Sequence, residues 1–200
     1  MKIGVFSKLF GLGTVVVLAF LTSCGTKDGS SSSGPTAPMA PPPPPTATAI
    51  RDDASLFRLI TQTEPFGSYT LFPNTEEFTS GKLNGSEAHR TIVRVSVNSR
   101  AAGALQNGKL PSGGKFPDGS IIFKEIRPSN GAPANVYAVM YKDSNSALAG
   151  NGWLWAEFSP DGTVAYSISN RGSACTSCHL REQGPQNDSV RTFERQLSLR

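Results

Sequence analysis

The chain has 200 residues, of which 38% are apolar, 17% charged and 8% aromatic, with 20 glycines and 15 prolines, seven of the prolines crowded between residues 35 and 45. That distribution leaves about 150 residues able to build a core, enough for one domain. The 19 Lys and Arg, less Lys2 and Lys8 of an apparent leader, leave 17 against 15 Asp and Glu, a near balance that argues against a nucleic-acid binder. Three cysteines exclude a disulfide-dense scaffold.

The amino terminus carries Lys2 and Lys8, an apolar stretch through Val15 to Leu21, and then Leu21-Thr22-Ser23-Cys24. The apolar core is shorter than the roughly 20 residues that span a bilayer, and small polar residues precede the cysteine where a peptidase cuts, so residues 1–23 read as a secretion signal. The last four resemble a bacterial lipobox, which makes Cys24 the lipidated first residue of a lipoprotein and removes it from disulfide or ligand chemistry. Gly25, rather than Asp, at the next position resembles the sorting pattern of outer-membrane lipoproteins, facing the periplasm.

Residues 24–49 have no apolar periodicity and contain five consecutive prolines at 41–45. They cannot form a core. The Gly/Ser half is flexible and the Pro half a stiff spacer at ~3.1 Å per residue, so the segment is read as a tether that holds the following domain off the lipid surface. Met39 lies within it and is discounted as a ligand.

The domain is expected over residues 50–200. Asp53 to Ile60 pairs N-capping side chains with apolar residues at helical spacing. Thr91–Val97 is β-branched, with Val93, Val95 and Val97 facing one way, and reads as a strand. Asn98–Gln106 reads as a helix stopped by Asn107-Gly108. Asp118-Gly119 turns the chain into a strand over 120–126. Val136–Lys142 and Trp153–Phe158 alternate in the same way, and Pro160-Asp161-Gly162 turns into a segment over 163–169. Four or five strands with helices at both ends predict an α+β domain on a mostly antiparallel sheet with short flanking helices.

The chemistry is concentrated in Cys175-Thr176-Ser177-Cys178-His179. In a C-x-x-C-H segment two thiols spaced to reach the vinyl groups of haem form thioethers, and the adjacent histidine is carried under the ring to the iron. A thioredoxin-like dithiol needs the motif to open a helix after a strand of an α/β unit, and here it follows Arg171-Gly172-Ser173 late in a strand-rich domain. A zinc site would draw on His89, Cys175, Cys178 and His179, but adjacent Cys178 and His179 are hard to aim at one tetrahedral centre. The pattern therefore predicts one covalent haem c, with His179 as proximal iron ligand.

Candidates for the second axial position are few. His89 is the only other histidine and reads as a polar residue of a Gly/Ser/Glu-rich loop, while Met140 alternates with Ala138 and Val136 and reads as sheet core. The expected iron is five-coordinate, which favours binding a small molecule over pure electron transfer.

Taken in order, Leu56 to Ile60, His89 with the strand ending Val97-Asn98, Phe116 to Ser120 running on to Lys124-Glu125, Val139 to Lys142, Trp153-Leu154-Trp155, Pro160 to Gly162, Cys175 to His179 and Asp188-Ser189-Val190 resemble the cytochrome P-460 and cytochrome c′-beta family across nearly all of residues 55–193. The resemblance implies a homodimer with a histidine-ligated haem c and an open or sterically blocked distal face. In that family the cytochromes P-460 link a lysine to the haem and oxidise hydroxylamine, while the c′-beta members bind nitric oxide under a cap of phenylalanines.

The linking lysine falls on Lys124, which shares a strand face with Ile122 and Ile126; a salt bridge to Glu157 or to a haem propionate is the competing role. Hydroxylamine oxidisers carry a carboxylate near the haem motif as proton acceptor, and Ser173 and Ala174 stand before Cys175 here, which weighs toward nitric oxide binding or electron transfer with an unidentified redox partner. Phe66, Phe72, Phe78, Phe116 and Phe123 are the candidates for a cap, Trp153 and Trp155 face one side of their strand as core, and Arg94 is a candidate partner for a propionate. Replacing Cys24 with Ala is expected to move the protein from the membrane fraction to the soluble fraction of detergent-free lysates; a variant that stays with the membranes contradicts lipid anchoring.

Overall fold

The computed structural model describes residues 49–83, 88–89, 91–181 and 187–197. Contacts divide the chain into Met1–Pro43 and Pro44–Arg200, and the first unit, with the leader, Cys24 and most of the tether, lies outside the described residues. None of the described helices is long and apolar enough to cross a membrane.

The chain enters through helix α1, Asp53–Arg58. Its start is fixed by a reciprocal cap in which the Asp52 carboxylate accepts from Ser55 N at 2.7 Å and Ser55 Oγ accepts from Asp52 N at 3.2 Å. A π-helical turn, Leu59–Thr63, continues it. The strands are β1 (Thr70–Leu71), β2 (Thr79–Ser80), β3 (Ile92–Val97), β4 (Ile121–Arg127), β5 (Val136–Lys142), β6 (Trp153–Phe158) and β7 (Val164–Tyr166). Helix α2 is Ser99–Gly103, capped by the Asn98 side chain, and α3 is Ser173–His179.

All described pairings are antiparallel, and β3 to β7 form a meander in chain order. The outer edge of β3 is shared, β1 pairing with its Val97 end and β2 with its Ile92 end. The expected α+β class and antiparallel sheet are therefore what forms. The two extra strands are two residues each, too short to leave a period in the sequence. The predicted strand over 163–169 stops at Tyr166 and turns into a 3-10 helix, Ile168–Asn170, because the Asp53 carboxylate accepts from Ser167 Oγ at 2.6 Å and from Ile168 N at 2.8 Å. The predicted helix over 98–106 is only its first turns.

Both faces of the sheet are covered. On one, Leu56 of α1 and Ile60 of the π-helical turn pack with Ile168 against Ile121, Phe123, Val139, Tyr141, Leu154, Ala156 and Phe158. On the other, Val93, Val95, Val97, Ile122, Met140, Trp153 and Trp155 pack under Phe72, Leu110, Phe116 and Val190, with Cys175 of α3 against the same cluster. Leu56 has no exposed surface, so Leu56→Ala is expected to cost about 2–5 kcal/mol of stability in urea denaturation; a loss below 1 kcal/mol would show that this face does not hold the domain together.

Candidate functional site

The thiols and the histidine owe their alignment to α3. Arg171 and Gly172, both left-handed at φ 51° and 69°, turn the chain out of the preceding 3-10 helix and start α3. Helical spacing then places Cys178 and His179 three and four residues after Cys175, on one face. All three border a cavity of about 280 Å³ between α3, the second sheet face and the C-terminal segment.

His179 is held from behind. Its Nδ1 lies 2.7 Å from the Ser189 carbonyl, which can only accept, so Nδ1 carries the proton and Nε2 keeps its lone pair. The Trp155 ring stands against the imidazole edge to face, centroids 4.7 Å apart, and is itself fixed by a 2.8 Å bond from Nε1 to the Gly150 carbonyl. Burial, reinforced by the charge of Lys124, brings the His179 pKa down to about 4, so the ring is neutral and able to donate to a metal.

Arg191, in a C-terminal 3-10 helix Arg191–Arg195, directs Nη1 to Cys178 Sγ at 3.0 Å while its Nε and Nη2 bind the Glu194 carboxylate at 2.7 and 2.9 Å. Burial, with a contribution from Glu157, pushes the Cys175 thiol up to about 11. A redox dithiol requires a lowered pKa and an exposed thiolate, and the all-antiparallel sheet is not the α/β unit such a motif opens from. Zinc fares no better: no group of three or more His, Cys, Asp or Glu side chains among the described residues is arranged to hold a metal ion.

The sheet contributes the polar side of the cavity. Cross-strand register sets Lys124 opposite Ala138 and Ala138 opposite Glu157, and all three border the space. Burial pulls the Lys124 ammonium down to about 8, with Arg195 acting in the same direction and Glu157 against it. Burial also lifts the Glu157 carboxyl above the ordinary range, the Lys124 charge offsetting part of the rise.

His89 borders the same cavity, its Nδ1 4.0 Å from Glu157 Oε1 and buried without a hydrogen-bond partner among the described residues. The Lys124 charge first, and burial second, hold its pKa down to about 2 and its ring neutral. The sequence placed His89 as a polar loop residue; the structure puts it on the cavity wall, beside the point where the Gly81 N–H binds the Thr91 carbonyl at the end of the sheet.

Other expectations are corrected. Arg94 pairs with Glu125 at 3.2 Å and Glu77 at 3.6 Å and does not border the cavity. The guanidinium groups among its described lining are Arg191 and Arg195, the latter donating to the Ser80 and Lys82 carbonyls. Neither arginine carries a spacing signal, since the C-terminal segment reaches the site only by folding back. None of the five candidate phenylalanines lines the cavity: Phe66 stacks on Phe123 at 4.6 Å in the α1-side core, Phe72 and Phe116 pack with Phe193, and Phe78 lies under the Arg127 guanidinium. Met140 is core, as expected, with one side on the cavity floor. The carboxylate that the residues before Cys175 do not supply is present as Glu157.

Two thiols and an imidazole on one helix face, Nε2 uncommitted, an apolar floor of Ile122, Ala138, Met140 and Trp155, and two guanidinium groups on the rim fit a haem. Such a donor set defines a haem-binding protein. The model of the cytochrome P-460 family matches residues 74–192, and the chain belongs to that family. No curated protein matches the chain significantly.

A side chain at Gly172 would both force a left-handed residue and collide with the Trp155 indole. The backbone strain alone is worth about 1–2 kcal/mol, so Gly172→Ala is expected to destabilise the protein by at least that much and to shift its tryptophan emission. An unchanged emission spectrum would mean that Trp155 is not wedged between α3 and the sheet.

Proposed function

We propose that this protein is a single-haem c-type cytochrome whose open face binds nitric oxide or a related small nitrogen oxide, with or without onward electron transfer. The observation that supports this most is the state of His179: neutral, its Nδ1–H hydrogen-bonded to the Ser189 carbonyl, its Nε2 unengaged among the described residues on a helix face that also presents Cys175 and Cys178. In this reading the two cysteines carry the thioethers, His179 is the axial ligand, and Arg191 and Arg195 meet the propionates. The haem supplies an iron that binds nitrogen oxides and changes oxidation state. His89, Lys124 and Glu157 surround the remaining space with a neutral imidazole, an ammonium of lowered pKa and a carboxyl group of raised pKa, which can hydrogen-bond a small polar ligand and exchange a proton with it.

A second reading, oxidation of hydroxylamine with Lys124 joined to the haem, gains support from one placement. Lys124 and Glu157 border the same cavity as the C-x-x-C-H motif, so an amine with a lowered pKa and a proton-accepting carboxyl group are both at hand. The lipid anchor at Cys24, an outer-membrane location facing the periplasm, an unidentified redox partner and a homodimer complete the proposal; the lipobox, the tether and the family resemblance support them.

Absorption spectra of the matured protein, ferric, ferrous and with nitric oxide added, followed by mass spectrometry of its haem peptide, test both readings. A high-spin spectrum, a nitrosyl adduct and a haem peptide joined through Cys175 and Cys178 alone are expected. A strongly red-shifted ferrous Soret band with Lys124 in the haem peptide would establish the second reading. A low-spin ferrous spectrum that nitric oxide leaves unchanged would instead assign His89 to the sixth position and overturn the open face.

A further inference from the structure

The turn that holds His179 is itself clamped. Ser189 reaches the imidazole from two consecutive non-glycine residues in the left-handed region, Asp188 at φ 46° and Ser189 at φ 67°. Such backbone is strained for L side chains and persists only where the surroundings over-determine it. Here they do. Lys142, at the end of β5, places Nζ 2.9 Å from each oxygen of the Asp188 carboxylate, and both side chains are only 3% exposed.

Other groups of the turn are also engaged. Asp188 Oδ2 accepts from Phe116 N at 3.0 Å, the Asp188 carbonyl accepts from Trp153 Nε1 at 2.8 Å, and Asn151 Nδ2 donates to Ser189 Oγ. Trp153 stands opposite Lys142 across the β5–β6 register, with the Lys142 ammonium 4.8 Å from its ring centroid. Lys142, Asn151, Asp188 and Ser189 do not border the cavity. A fully buried ion pair is weak evidence of a role in stability, because desolvation takes back most of its attraction; fixing one conformation is its better-supported use.

We propose that the Lys142–Asp188 pair is a positioning clamp for His179, holding the 188–189 turn so that the Ser189 carbonyl accepts the hydrogen bond from Nδ1–H and thereby setting the orientation and donor strength of Nε2. The inference rests on the reading that His179 is the axial ligand. A firmly held Nδ1–H···O bond makes the imidazole a stronger donor, which strengthens its bond to iron and favours the ferric state. The segments around Val139–Lys142 and Asp188–Val190, which take no part in the cavity's chemistry at Lys142, Asp188 and Ser189, acquire a use: one carries the clamp and the other the acceptor.

The test compares matured wild-type protein with Asp188→Asn, which removes the charge but keeps the shape, and Ser189→Gly, which relaxes the left-handed backbone but keeps the carbonyl. The readouts are the iron–histidine stretching band of the ferrous form by resonance Raman and the midpoint potential. Both variants are expected to show a lowered, broadened band and a raised potential. Leu56→Ala, on the opposite sheet face, serves as a control that lowers stability and moves neither. Wild-type values in Ser189→Gly, whether Asp188→Asn matures unchanged or fails to take up haem, would overturn the clamp, as would an equal shift in Leu56→Ala. A wild-type protein that carries haem without a histidine–iron band would overturn the axial reading itself and the clamp with it.

Discussion

Antiparallel register is the constraint on which the site depends. In such a sheet, residues directly opposite one another project to the same face, so the row Val97, Ile122, Met140, Trp155 runs unbroken and apolar across four strands. The next row, Val95, Lys124, Ala138, Glu157, Tyr166, has the same geometry but a methyl group at its centre and ionisable groups on either side. Bulk is missing where the row crosses β5, and that gap, roofed by α3 and the C-terminal segment, becomes the cavity. A slip of one residue would turn Lys124 and Glu157 into the α1-side core and close the space.

The same low-dielectric surroundings tie the cavity's titratable groups to one another. Lys124 is the foremost cause of the depressed His89 pKa, contributes to the lowering at His179, and offsets the rise at Glu157. Burial disfavours charge on each of them, and their mutual interactions decide which group carries it. On the other side of His179 the logic is reversed: charges at Lys142 and Asp188 are fully paired, and the result is rigidity.

Much of this was legible along the chain, and the parts that were not share a physical reason. Strands β3 to β6 each repeat their apolar pattern for six or seven residues, long enough for a period of two to show. The two-residue strands β1 and β2 have no period at all, and exist because the edge of β3 offers unpaired groups. The face of Lys124 followed from its place between Ile122 and Ile126. Glu157 alternates with Trp153 and Trp155 in the same way, yet its proximity to the haem motif was not legible, because 17 residues lie between Glu157 and Cys175 and only the fold brings them together. Arg94 and the phenylalanines failed as site candidates for the same reason: residue type suggested the role, and position in the sheet assigned another.

The sequence by itself determined that Cys175, Cys178 and His179 are presented together, since they are neighbours whose spacing on any helical turn brings them to one face, and it determined the antiparallel strands, whose alternation is local. The family followed from the order of short segments along one chain. Tertiary structure alone decided which groups share the cavity with that motif, namely His89, Lys124, Glu157, Arg191 and Arg195, and which carbonyl and buried ion pair stand behind His179. Those pairings join residues from ten positions apart, as with His179 and Ser189, to ninety, as with His89 and His179, and their geometry is set by cross-strand register and by the folding back of the C-terminal segment, neither of which leaves a mark on local spacing.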